Sequence, residues 1–356
     1  MSLKTALLPR RSSRILLACL AVLVAAVLAS VAYAPGSARG AGGSGVTITL
    51  YNAQHAQTTD ALIAAFTKKT GIKVRVENDD EDVLTAQIEQ EGTRSPADVF
   101  YTENSNWLAQ LDQRGLLAKL GAATLAAVPR QDSASNGGWV GVSARISVLV
   151  YNPSKVKASQ LPTSVMGLAA PKWKGKLEVA PAETDFWPIV DSVATAKGKP
   201  AALKWLDGLT ANAGSAEVPD NETLVSDVSK GVTDLGLINH YYFYRLQAEL
   251  GKGSMHARIA YFAPRDPGYV EDISGAGVLK SSKHAAAAEA FVNFLTSKAG
   301  QQVLAHGDSF EYPIRPGVAA DSELTPLAKL KPTAYTPAEL GSGLEAKQLL
   351  QAAGLI

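Results

Sequence analysis

The chain has 356 residues, a formal charge of +1, 46% apolar side chains and one cysteine, the composition of an ordinary globular protein long enough for two domains. The first 45 residues hold Lys4, Arg10, Arg11, Arg14 and Arg39 and no acid, which leaves 29 basic against 33 acidic side chains beyond them. That mild acidity argues against nucleic acid as a partner, which usually needs a basic patch.

The basic start runs into an apolar stretch over residues 15–34 and then into small residues, the pattern of an export signal. Ala32-Tyr33-Ala34 is a cleavage pattern, although Pro35 opposes cleavage there, and the run is also long enough to span a bilayer. Residues 1–34 therefore read as a signal peptide or an N-terminal anchor. Residues 35–45, rich in Gly, Ser and Ala, read as a flexible tether. Arg10-Arg11 fits twin-arginine export poorly, because Ser12-Ser13-Arg14 follows. Cys19 lies within the apolar run and reads as an ordinary apolar residue of it, so an exported chain would hold no disulfide and depend on its core.

Residues 46–50 alternate polar and apolar side chains like a strand. A helix follows over 58–70, with Leu62, Ala65, Phe66 and Lys69 at helical spacing, Thr58 or Thr59 as its cap, Asp60 in its first turn and Gly71 as its stop. Strand 73–76 leads to the acidic run Glu77-Asn-Asp-Asp-Glu-Asp82. That run lacks the glycine and closing glutamate of a calcium loop and reads as a solvated loop that sets acids at a helix start. Helix 83–91, strand 97–101 and helix 107–114, ended by Gly115, complete a β-α-β-α series that implies parallel pairing. Next comes an apolar stretch over 140–150 with Arg145 embedded in it. A new αβ unit opens at 173–177, helices are expected over 203–209 and 223–228, and a strand over 235–238. Helical patterns cover 290–304 and 344–355.

Ligands of such sheets lie beyond the carboxyl ends of the strands. Three polar clusters fall there: 51–55, 102–104 and 239–242. The last holds two adjacent tyrosines, in Ile238-Asn-His-Tyr-Tyr-Phe-Tyr244. Neighbours on a strand point to opposite faces. For both phenols to serve one site, the strand must end near Asn239 and turn into a helix. Phenolate is a hard anionic donor suited to a highly charged cation, while packing in a core is the competing reading.

With these stretches together, the sequence resembles the periplasmic ferric ion-binding proteins of bacterial ABC importers, within the larger class of two-lobed solute-binding proteins. The resemblance runs in order through Tyr51-Asn-Ala-Gln-His55, Pro96-Ala-Asp-Val-Phe-Tyr-Thr-Glu103, Pro171-Lys-Trp-Lys-Gly-Lys176, Leu237-Ile-Asn-His-Tyr-Tyr-Phe-Tyr244, Asp266-Pro-Gly268 and Ser274-Gly-Ala-Gly-Val-Leu-Lys280. It implies an α/β, two-lobed periplasmic-binding-protein fold, each lobe a mixed sheet flanked by helices, with hinge strands between. The lobes are expected at 46–147 plus 269–320 and at 148–268 plus 321–356. It implies His55, Glu103, Tyr241 and Tyr242 as ligands of Fe(3+), and Asn221 and Asn239 as holders of a synergistic anion such as carbonate or phosphate, or water, that completes the coordination. Arg145 is a further candidate to pair an anion in the cleft, with a structural ion pair as its equal alternative. The expected partners are the ferric ion or a ferric chelate and an ABC permease, with the protein a monomer at the periplasm or the outer face of the cell membrane.

One departure stands out. Many relatives carry a Ser/Gly-rich turn that cradles the anion, where this chain has Ala180-Pro-Ala-Glu-Thr-Asp185-Phe-Trp187. Glu183 and Asp185 would repel a phosphate. The carboxylates turn to solvent, or one replaces the anion as ligand or shield, or the ligand is not ferric ion. We expect phosphate to be weakened or absent. The alternative function is binding of an organic cation, of polyamine or thiamine type, by acids and stacked aromatics of the same cleft. A hydrolase built on Glu103 and His55 has no supporting nucleophile elbow or His-Glu-x-x-His helix.

Overall fold

The structure, a computed structural model, describes residues 45–213 and 218–356; the export signal or anchor and nearly all of the tether lie outside them. In chain order the elements are β1 (Thr47–Ala53), α1 (Ala56–Thr70), β2 (Lys73–Asn78), α2 (Glu81–Glu91), β3 (Val99–Thr102), α3 (Ser105–Gln113), α4 (Ala122–Leu125), β4 (Val140–Tyr151), β5 (Leu177–Glu178), α5 (Trp187–Lys197), α6 (Lys199–Ala213), α7 (Asn221–Lys230), β6 (Leu235–Asn239), α8 (His240–Leu250), β7 (Arg258–Ala260), β8 (Glu271–Val278), α9 (Ala285–Thr296), α10 (Lys298–His306), β9 (Tyr312–Pro313), α11 (Pro337–Leu340) and α12 (Leu344–Ala352).

Strands run in the order β2-β1-β3-β8-β4-β6-β5, with β7 and β9 also on β4. β1 is parallel to β2 and β3, as the strand–helix alternation predicts, and β8 is antiparallel to β3, so the sheet is mixed. β4 joins the two halves of this two-lobed fold. Its first part, up to Ile146, pairs with Glu271 and the residues after it in β8; from Ser147 on it pairs with β6, and at its end with β7. All twelve residues of β4 are buried, Arg145 among them. That explains the long apolar run, since a strand covered on both faces has no polar alternation.

α1 starts two residues earlier than its pattern suggests. His55 is the N-cap residue, Thr58 and Thr59 are buried inside the helix, and Asp60 falls outside the first turn. The Thr59 hydroxyl donates instead to Asn52 Oδ1 at 2.8 Å, so tertiary bonding displaced the expected cap. Gly71 ends the helix as expected, at φ 77°, with its N–H on Thr67 O. The pattern over 290–304 is two helices: Ser297 breaks it, its hydroxyl accepting the Gly300 N–H at the start of α10. α5 carried no expectation of its own. Phe66 of α1 packs edge-on to Phe291 of α9 at 5.1 Å, which ties the first helix to the ninth.

Candidate metal centre

Three chain corners build the site. At the first, β1 gives way to α1 at Gln54 and His55. The turn is pinned from several sides: Asn52 Nδ2 donates to Gln54 O and Asn78 Oδ1, the His55 N–H to Gln54 Oε1, and Gln54 Nε2 to Ser274 Oγ and Glu311 Oε1. At the second, Glu103 follows β3, its N–H bonded to Ala53 O at 3.1 Å, so it stands beside the first corner. It does not cap α3; Asn104 holds that position.

The third corner is the tyrosine pair. β6 ends at Asn239 and α8 begins at His240, the strand-to-helix change that shared duty requires. The Tyr241 and Tyr242 rings lie 4.1 Å apart, and both hydroxyls donate to one oxygen, Asp185 Oδ2, at 2.8 Å each. Tyr241 also donates to Glu103 Oε2 at 3.2 Å. The His55 ring meets the two phenols edge-on at 5.2 and 6.1 Å, and its Nδ1 lies 3.4 Å from Glu103 Oε1. The four residues implied as ligands thus converge, with Asp185 among them. The packing reading of the pair is half right: both rings are buried, yet both hydroxyls face the cluster.

Beneath them sits Arg145, with no exposed surface. Its guanidinium is 2.8 Å from Glu103, 3.0 Å from Asp272, and 3.7 Å from both Asp185 and Glu311. Arg145 therefore neutralises acids, and only Nη2 lacks a hydrogen-bond partner. One cation faces four carboxylates. Burial, then Asp185, push the Glu103 carboxyl well up, against the pull of Arg145. Burial lifts Asp272 to about 7. Burial also acts against ionised Asp185, but Arg145 and the two phenol donors outweigh it and hold that carboxyl below its ordinary value. Both phenols are driven far up by burial and then by Asp185 and Glu103. Burial, followed by Arg245, lowers His55 to about 3, so its imidazole is neutral and fit to ligate, and its Nε2 has no partner.

His55, Glu103, Asp185 and Tyr242 line a cleft of about 510 Å³ with Asp79, Asp80, Asp82, Glu183 and Glu222. Glu183 is only half-buried there, with burial and then Asp185 raising it to about 8. Asn221 opens α7, which packs against α8. Asn239 precedes the tyrosines; both asparagines are buried, and Asn239 Nδ2 has no partner. Among the described residues, no three His, Cys, Asp or Glu side chains are placed to hold a metal ion.

Several residues escaped sequence reasoning. Asp272 sits directly opposite Arg145 in the β4–β8 register, and Glu311 is the residue just before β9. An arginine inside an apolar strand was the one signal that buried acids had to exist. The acidic run sets Glu81 and Asp82 in the first turn of α2 as expected, but it is not solvated throughout: Glu81 is 5% exposed and enclosed by donors, while Asp79, Asp80 and Asp82 are exposed.

A two-lobed α/β body whose cleft gathers polar side chains at strand ends is a receptor for a small ligand. The chain belongs to the bacterial extracellular solute-binding proteins, whose family model matches residues 61–332. It is 41% identical over 309 residues to the Fe(3+)-binding periplasmic protein of Serratia marcescens, covering 87% of this chain and 90% of that one. The major ferric iron-binding protein of Neisseria meningitidis serogroup B is 38% identical over 310 residues, 86% of this chain and 93% of that one. The solved structure of iron-bound HitA from Pseudomonas aeruginosa superposes with a TM-score of 0.84 at 44% identity, covering 87% of this chain and 100% of that one. These relatives are binding proteins. Among the described residues no helix is long and apolar enough to cross a membrane.

Proposed function

We propose that this protein is an exported receptor that captures ferric iron in its cleft and delivers it to an ABC permease. The observation that carries the reading is the shortfall of positive charge around a preassembled donor set. Two phenols and a neutral imidazole converge over four carboxylates, Glu103 itself with Asp185, Asp272 and Glu311, that are answered by Arg145 alone. A hard trication supplies what is missing and displaces the phenol protons. The names of the relatives supply the same cargo. His55, Glu103, Tyr241 and Tyr242 are the ligands in this reading. Asp185, already bonded to both phenols, takes the place of an outside anion, as direct ligand or shield, while Glu183 stands at the rim. Phosphate is then dispensable. Should carbonate or another anion accompany the metal, Arg145 Nη2, Asn221 and Asn239 are the donors left for it.

We place the lobes at 46–147 plus 269–320 and 148–268 plus 321–356. Support comes from the change of β4 partners between Ile146 and Ser147 and from the bond of the Ser147 N–H to Val270 O. The ligand would favour closure of these lobes, delivery their opening. The protein would act as a monomer outside the cytoplasm, its leader cleaved or retained as an anchor.

The test is spectroscopic. Wild-type protein given ferric nitrilotriacetate should develop a visible phenolate-to-iron band, and the Tyr241→Phe/Tyr242→Phe double variant should show neither band nor binding. A colourless wild type, with no thermal shift, rejects iron. An affinity that rises markedly with added phosphate rejects the place given to Asp185.

A further inference from the structure

Glu81 has no part in the metal chemistry above, yet it is the most densely bonded carboxylate of the cleft. It opens α2. Oε1 accepts from the Thr102 hydroxyl and, at 2.6 Å, from the Asn104 backbone N–H; Oε2 accepts from Asn104 Nδ2 at 2.7 Å, from the Trp107 indole at 3.0 Å and from the Thr184 hydroxyl. Five donors converge on the roughly four lone-pair directions of a carboxylate, which favours its ionised form against the burial that raises its pKa. Four of them come from the β3–α3 corner on which α2 packs. The fifth comes across the cleft, from the turn that leads into α5.

That crossing is doubled. Thr184 Oγ1 accepts from Asn104 Nδ2 at 3.2 Å while it donates to Glu81, and the same amide reaches Asp185 Oδ1 at 3.4 Å. The two walls also touch around it. The Trp107 and Trp187 rings lie 5.6 Å apart, and Asn106 Nδ2 reaches Ser342 O at 3.5 Å. Gly343, at φ +73°, comes so close that a Cβ there would stand 2.3 Å from Asn106 Nδ2. The chain positions matter as much as the distances. Thr102 and Asn104 flank Glu103, and Thr184 precedes Asp185. Glu81 thereby fixes the neighbours of one carboxylate on each wall.

We propose that Glu81 and Thr184 form a latch: Glu81 is a positioning residue that aligns Glu103 with Asp185 and holds the cleft shut through a bond made only when the walls meet. The bond is charge-assisted and so roughly twice as strong as a neutral one, whereas on opening Glu81 keeps its four same-side donors. Its consequence for cargo rests on the ferric reading; its geometry does not.

Thr184→Val keeps the β-branched shape and removes the donor, and Thr184→Ser restores the hydroxyl. Small-angle scattering would give the radius of gyration of each protein with and without ferric nitrilotriacetate, and the visible band would time loss of iron to EDTA. We expect Thr184→Val to have the larger radius without added iron, and to lose iron about tenfold faster from a band at unchanged wavelength. Thr184→Ser should match wild type in both. Equal radii and equal loss rates in wild type and Thr184→Val overturn the latch, as does a serine variant that fails to restore them, since the defect would then be packing. A wild type that takes no iron defeats the ferric reading alone. The radii then decide the latch: a larger one in Thr184→Val supports it, an equal one overturns it.

Discussion

Two short acidic segments face each other across the cleft. One runs from Glu77, near the end of β2, to Asp82 in the first turn of α2; the other holds Glu183 and Asp185 ahead of α5. Each sinks one carboxylate and leaves its neighbours outside: Glu81 is 5% and Asp185 6% exposed, while Asp79, Asp80 and Asp82 are exposed and Glu183 is half-buried. Within each segment the acids are chemically alike. What separates them is where donors converge. Glu81 meets hydroxyls, an amide and an indole, all neutral; Asp185 meets two phenols and has Arg145 at 3.7 Å. The difference shows in their acidities. Burial raises Glu81 against its neutral donors and a lesser pull from Arg145, whereas Asp185 ends below its ordinary value because the guanidinium is its main counterweight and the two phenols add to it. A buried acid is stabilised by what is aimed at it, and local charge density says little about which acid that will be.

The largest effect should come from taking away the acceptor with the most donors. Glu81→Ala leaves the Asn104, Trp107, Thr102 and Thr184 donors without their acceptor and should cost about 3–5 kcal/mol in urea unfolding. Asp82→Ala, one residue on, should stay within about 0.5 kcal/mol. Similar losses for the two would break the contrast. On the opposite wall the contrast is read in binding. Asp185→Ala should weaken ferric ion about 100-fold, measured by competition with citrate at the visible band, and Glu183→Ala no more than about threefold. A larger loss at Glu183 would move the second wall's contribution to the rim.

The sequence made some of this legible. The change from β6 to α8 at Asn239 followed from asking how adjacent tyrosines could serve one site, and the all-buried β4 from an unbroken apolar run. Gly71 marked the end of α1 because a left-handed φ there favours glycine. The illegible parts depend on partners distant in the chain. Nothing near Glu81 distinguishes it from Asp82; its donors lie at 102–107 and 184. The cap expected at Thr58 or Thr59 was lost because the Thr59 hydroxyl bonds Asn52 and the helix begins earlier, at Ala56, and the helix pattern over 290–304 hid a break because Ser297 serves as both the end of one helix and the cap of the next. Arg145 did announce a need for buried acids, but Asp272 and Glu311 could be assigned to it only once β8 and β9 were paired with β4.

A third buried acid sharpens the comparison by lacking both kinds of support. Asp191 of α5 is 5% exposed, and burial lifts its carboxyl to about 7, opposed by one backbone bond from Ala346 and reinforced by Glu345. In the folded state it therefore holds a proton over a range where the unfolded chain, with an ordinary value of 3.8, has released it. Stability from this group is complete below about pH 4 and falls as pH rises towards 7. Asp191→Asn, which cannot ionise, should flatten that slope. In chemical denaturation the variant should gain on wild type by on the order of 2 kcal/mol between pH 4 and pH 8, after discounting the shift for the part of the side chain that water still reaches. Asp185, held low by Arg145, predicts the opposite sign in the same experiment: its stabilisation is present above about pH 4 and is lost on acidification. Parallel slopes for the two positions would mean that the guanidinium does not set the difference between them.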